Sequence, residues 1–144
     1  MDCFELQPWL TIRGMSNIAT VVQSEHEWAD MSEFRDVVLW TEVALVPPGS
    51  GTAYVAFETA PSKDETLFQQ AVAPFQVQPT NGTAVYVSVV HRDLASVPIA
   101  QWLRWNISQQ GFSPTWSVVF RIWAAGMRNT AGSMRGPRIM TATE

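Results

Sequence analysis

Trp116-Ser117-Val118-Val119-Phe120-Arg121-Ile122-Trp123 is the stretch that decides how this chain folds. Side chains alternate between the two faces of a β-strand, so Trp116, Val118, Phe120 and Ile122 form one apolar row while Arg121 and Trp123 project to the other side. Gln101-Trp102-Leu103-Arg104-Trp105-Asn106-Ile107 repeats the arrangement, with Leu103, Trp105 and Ile107 on one side and Trp102 and Arg104 opposite. One row of each strand suits a core. An indole on the second row indicates a surface meant to be covered.

The rest of the chain extends this pattern. Residues 36–46 place Val37, Leu39, Val43 and Leu45 on one face and Val38, Trp40, Glu42 and Ala44 on the other. Pro47-Pro48-Gly49-Ser50-Gly51 ends that strand, because proline removes ladder donors and glycine permits a sharp reversal. Residues 52–59 return as a strand rich in β-formers. Residues 66–73 fit a short helix or a strand, and the all-β context favours a strand. Pro79-Thr80-Asn81-Gly82 is a turn signal, and the strand at 83–90 has Val85, Val87 and Val89 on one face. Further strands are expected at 18–23, 99–108 and 115–125.

Seven or eight short strands split by Gly and Pro, with no sustained 3.6-residue period, predict an all-β fold: an antiparallel β-sandwich, jelly-roll-like. The sandwich is expected over residues 18–125. Residues 1–17, interrupted by Pro8 and Gly14, read as an irregular N-terminal arm. From Gly126 the alternation stops, and residues 126–144 read as a flexible basic C-terminal tail.

Composition sets limits. Among 144 residues, 47% are hydrophobic and only 15% charged, against about 25% charged in typical soluble domains. A charge-poor exterior is readily buried against neighbours. Apolar runs are far shorter than the roughly 20 residues of a membrane helix, and the acidic N-terminus lacks the basic region of a secretory signal. The single cysteine, Cys3, rules out an intrachain disulfide and a multi-cysteine metal site. Together these features predict a soluble product of a reducing compartment, with no membrane partner. Charge is uneven: residues 1–80 carry eleven acids and three bases, a net −8, while residues 81–144 carry six arginines and two acids, a net +4. That asymmetry is expected to bias association between copies. Scattered arginines on an acidic chain argue against nucleic acid as a partner.

No constellation names a reaction. His26 lies between Glu25 and Glu27, and His91 precedes Arg92-Asp93, without the spacing of a metal site. There is no nucleophile elbow and no phosphate-binding glycine loop. Adjacent carboxylates such as Asp64-Glu65 diverge rather than flank a glycosidic bond. The chain is therefore expected to be non-enzymatic, with no catalytic residues, metal or cofactor.

Against that background the chain resembles the small β-sandwich decoration, or cement, proteins of tailed bacteriophage capsids. The resemblance is one of pattern. It is carried by residues 36–43 with 54–62, by Trp102-Leu103-Arg104-Trp105 with Phe120-Arg121-Ile122-Trp123, and by a single domain bracketed by arms. It implies a structural protein made in the host cytoplasm and located on the virion capsid surface. There it would bind the major capsid protein or another virion protein between coat subunits, as a homo-oligomer (dimer or trimer). Aromatic and arginine side chains are the favoured interface anchors, so the candidate interface residues are Trp40, Trp102, Arg104, Arg121 and Trp123 on the sheets. Trp9 and Leu10 in the leading arm and Arg128, Arg135 and Arg138 in the trailing one complete the set. The alternative is a carbohydrate-binding module of a phage tail or adhesin, whose indoles stack on sugar rings.

Overall fold

A computed structural model describes residues 2–15, 20–45, 52–77, 83–91, 97–110 and 115–128. They form nine strands: β1 (Asp2–Met15), β2 (Thr20–Val22), β3 (Ala29–Asp30), β4 (Phe34–Leu45), β5 (Thr52–Ala60), β6 (Gln69–Val77), β7 (Ala84–His91), β8 (Trp102–Gln110) and β9 (Thr115–Arg128). Two single turns of 3-10 helix, Glu25–Glu27 and Glu65–Leu67, interrupt them. No helix among the described residues is long and apolar enough to cross a membrane.

The pairing is nested. β1 pairs with β9, β2 and β3 with β8, β4 with β7, and β5 with β6, all antiparallel. A chain bent into one long hairpin with its tip between β5 and β6 makes those pairs. Rolling that hairpin up then brings β4 against β9 and β5 against β8. The result is two sheets, ordered β1-β9-β4-β7 and β2-β8-β5-β6, with β3 continuing the place of β2 beside β8. This is the strand order of a jelly roll, as the sequence predicts. Counting β2 and β3 as one broken strand gives eight positions.

The core lies between the sheets and is built from the rows read off the sequence. Val37, Leu39, Val43, Val55, Phe57, Leu103, Trp105, Ile107, Trp116, Val118, Phe120 and Ile122 are all buried. Trp105 of one sheet meets Phe120 of the other edge to face, with ring centroids 5.1 Å apart, the geometry the aromatic quadrupole favours. Buried polar atoms accompany the indole. Trp105 Nε1 donates to Gln7 Oε1 at 3.0 Å. Gln23 Nε2 donates to the carbonyls of Leu6 and Glu27 at 2.9 and 3.0 Å, while Gln23 Oε1 accepts from the Trp105 backbone N–H at 3.3 Å. Gln23 thus stitches β1 to β8 where β2 has ended and β3 has not begun.

Two boundaries differ from expectation. Residues 2–15 are a strand rather than an irregular arm, because β9 supplies a ladder along almost their whole length. Pro8 falls between register shifts at Gln7 and Leu10, where a missing N–H costs no ladder bond. Leu6 and Ile12 are buried in the core. The sheet also continues past residue 125: Gly126 lies within β9, opposite Val37 and Asp2. Its glycine is a packing requirement rather than a breaker, since a Cβ there would come within 2.3 Å of the Phe34 ring. Elsewhere residues 66–73 divide between the second 3-10 turn and β6. The tail beyond residue 128, with Arg135 and Arg138, lies outside the described residues.

Candidate interaction surface

The centre of the outer face of the β1-β9-β4-β7 sheet is apolar. Register places Val87 of β7 opposite Trp40 of β4, Trp40 opposite Trp123 of β9, and Trp123 opposite Glu5 of β1. One step along, Val85, Glu42 and Arg121 lie in line, and on the other side Val89 and Val38. Val85, Val87 and Val89 are 54%, 58% and 48% exposed, and Trp123 is 36% exposed. Cys3, Trp40, Glu42, Val85, Trp123 and Ala124 line a shallow depression of 430 Å³.

At the centre of this face the charge is internally matched, with Glu5 exposed at its β1 edge. Arg121 Nη2 donates to both carboxylate oxygens of Glu42 at 2.8 Å. The guanidinium carbon lies 4.7 Å from the Trp9 ring centroid and 5.6 Å from that of Trp123, within cation–π range. Arg121 Nε is buried and has no hydrogen-bond partner among the described residues. The pair therefore holds Trp9 and Trp123 in place and leaves little net charge to repel an apolar partner.

The outer side of the other sheet is closed by the protein itself. Arg104 is buried, donating through Nε to Glu58 and through Nη1 to both oxygens of Glu65, each at 2.8 Å. Its guanidinium carbon sits 3.8 Å from the Phe68 centroid and 5.2 Å from that of Trp28. Glu58 comes from β5, while the two 3-10 turns and the residues that end them carry Glu65, Phe68 and Trp28 over the sheet. The second turn is capped by Asp64, which accepts from the backbone N–H of Thr66 at 3.0 Å and from its hydroxyl at 2.8 Å. Those bonds, the side-chain one foremost, hold the Asp64 carboxyl below its ordinary value of 3.8. Asp30 is lowered in the same way, first by the backbone N–H of Ser32. Lys63 lies 4.5 Å above the half-buried Trp102 ring.

The candidate interface residues therefore separate. Trp9, Trp40, Arg121 and Trp123 come together on one face. Arg104 is corrected to an interior strut, and Trp102 lies beside it on the opposite sheet under Lys63. Leu10 packs against the core. Arg128 ends β9, donating to Asp2 and Glu33. The hydrogen bond to Asp2 raises its pKa further above the usual guanidinium value. Arg104, Arg121 and Arg128 of the basic half each pair with acids of the acidic half, so in these pairs the charge asymmetry is satisfied within one molecule. Nested pairing is the reason, since it sets early strands beside late ones.

The exposed valines of β7 complete the face. Their signal in the sequence was the alternation itself, with Ala84, Tyr86 and Ser88 on the other row. His26 is solvent-exposed beside Glu27, and no three His, Cys, Asp or Glu side chains converge on a metal-sized site among the described residues.

No known family model matches the chain, and no curated protein matches it in sequence. Among solved structures it is similar to a protein described under "Bacillus endospore appendages form a novel family of disulfide-linked pili". That match has 12% identity, a TM-score of 0.43, and covers 90% of this chain and 93% of the other. It is also similar to the K2 cleaved adhesin domain of Lys-gingipain, at 9% identity and a TM-score of 0.41, over 86% of this chain and 88% of that one. Both are likenesses of general β-sandwich architecture.

Proposed function

We infer that this protein is a structural, non-catalytic module that docks through the outer face of the β1-β9-β4-β7 sheet onto a repeating protein surface. In the finer form of this reading, it decorates a phage capsid, binding between coat subunits on the virion. The observation carrying the reading is the outward apolar row of exposed Val87, half-buried Trp40 and exposed Trp123, flanked by a self-neutralised Arg121–Glu42 pair. A contiguous apolar face rimmed by polar groups is the usual mark of a protein–protein contact. Tryptophan is the side chain most often dominant in one.

The test is to sequence the genes flanking this one and, where a coat protein is encoded there, to measure co-sedimentation with shells assembled from it. Wild type is expected to saturate the shells. Trp123→Ala is expected to weaken binding about 30-fold, corresponding to about 2 kcal/mol at an interface hot spot, while leaving the melting temperature within a degree or two. Failure of wild type to sediment with the shells refutes the capsid reading. Reproducible glycan-array binding that disappears with Trp9→Ala would instead select the carbohydrate-binding role. Against that role stands the cation already stacked near one face of each of Trp9, Trp102 and Trp123.

A further inference from the structure

A sandwich of two open sheets has four edges, and here three of them are guarded. β1 carries Pro8, two register shifts and the charged side chains of Asp2, Glu5 and Arg13. The β2–β3 edge is two short pieces of three and two residues separated by a 3-10 turn. β6 contains Pro74 and pairs through two register shifts. Proline, charge, bulges and brevity are the devices by which natural sheets keep edges from pairing with other chains.

β7 has none of them. Ala84-Val85-Tyr86-Val87-Ser88-Val89-Val90-His91 contains no Pro, Gly, Asp, Glu, Lys or Arg, and it pairs with β4 in unbroken register. Among the described residues no strand pairs with its other side. Along that side Val72, Ala73 and Phe75 of β6 and residues 85–89 of β7 line an apolar groove of 590 Å³.

We propose that β7 is the contact by which two copies of this chain dimerise, pairing antiparallel about a two-fold axis that passes through Val87. Three features single out a second copy as the occupant. An edge strand paired antiparallel with itself is self-complementary, which is the requirement of a two-fold interface. When the axis is perpendicular to the sheet, each residue meets one on the same face, so Val87 meets its own counterpart and Val85 meets Val89 of the other copy. All six valines then shelter one another. Charge selects the place: a net −4 on each chain opposes contact between copies, and copies meeting edge to edge along the uncharged residues 84–90 add no like-charge contact to it. The axis also sets the Trp40 and Trp123 rows of both copies on the same side of one continuous eight-stranded sheet. A shell-binding module would gain two linked attachment points from this.

The experiment is sedimentation equilibrium combined with site-specific cross-linking of the full chain in a Cys3→Ser background, with diamide as the thiol oxidant. Across an antiparallel pair the two Cα atoms lie about 4.5–5.5 Å apart, within the roughly 4.4–6.8 Å that a disulfide spans. Val87→Cys is therefore expected to give a covalent dimer. Val85→Cys is not, because its counterpart lies about 13 Å away, four residues along the strand; Val85→Cys/Val89→Cys is expected to restore the cross-link. Val87→Lys, at an exposed position, is expected to give a folded monomer by circular dichroism and sedimentation, whereas Trp123→Ala remains dimeric. A monomeric wild type at 100 μM, a dimer that survives Val87→Lys, or equal cross-linking of the two single cysteine variants overturns the proposal. Val87 lies on both surfaces, so Val87→Lys is read only by sedimentation of the chain alone and Trp123→Ala by co-sedimentation with shells, and either conclusion can fail alone.

Discussion

Arg104 and Arg121 follow the same sequence rule and meet opposite fates. Each shares the second row of its strand with a tryptophan, yet Arg104 is enclosed by Glu58, Glu65, Phe68 and Trp28, while Arg121 lies on an open face. Removing one partner of a buried pair strands the other in a low-dielectric site and costs about 3–5 kcal/mol. Arg104→Ala is accordingly expected to lower unfolding free energy by about 3 kcal/mol in guanidinium titrations. Glu65→Gln, on a side chain that is 63% exposed, is expected to cost under about 1 kcal/mol. Equal losses for the two would mean that the guanidinium is held by Glu65 alone. The alternation placed both arginines on second rows; it carried no information on which row another part of the chain would roof.

At the scale of elements, the 3-10 turn at Glu65–Leu67 shows how a few residues supply that roof. Asp64 caps it, and Glu65 reaches Arg104 from it. The Asp64 carboxyl is held below 3.8 in the folded state, so its contribution is present above the unfolded value and disappears as pH falls through the folded one. Acid is therefore expected to loosen this turn below about pH 4, seen as exposure of Trp28 fluorescence. Asp64→Asn is expected to flatten that response. The same residues mark a limit of sequence reading. Leu67-Phe68-Gln69-Gln70 suited helix and strand alike, and the chain uses both, because Asp64 and Thr66 satisfy each other locally before β5 can offer a ladder to β6. Gly126 was opaque for a related reason: a strand glycine required by the Phe34 ring looks, in sequence, like the end of a strand.

For the whole molecule, the nested pairing makes the first strand indispensable to the last. β1 contributes Leu6 and Ile12 to the core and receives the close approach of Trp116 at Gly14, where a Cβ would lie 2.2 Å from the indole. Deleting two buried aliphatic side chains typically costs about 2–5 kcal/mol each, comparable with the total stability of about 5–15 kcal/mol of a small domain. Removing residues 1–15 is expected to abolish the cooperative thermal transition; a dispensable arm would leave the melt unchanged. The sequence alone determined the strand class and the two rows of each central strand, because a period of two is a property of the backbone; the turns it signals at 47–51, 79–82 and 111–114 lie outside the described residues. Only the tertiary structure decided which second row is roofed by turns, which is left open with Trp40 and Trp123, and that the valines of β7 face outward on an edge that no strand among the described residues pairs. Those outcomes depend on where distant segments pack once the hairpin has rolled up, and alternation along a strand is blind to what arrives from across the fold.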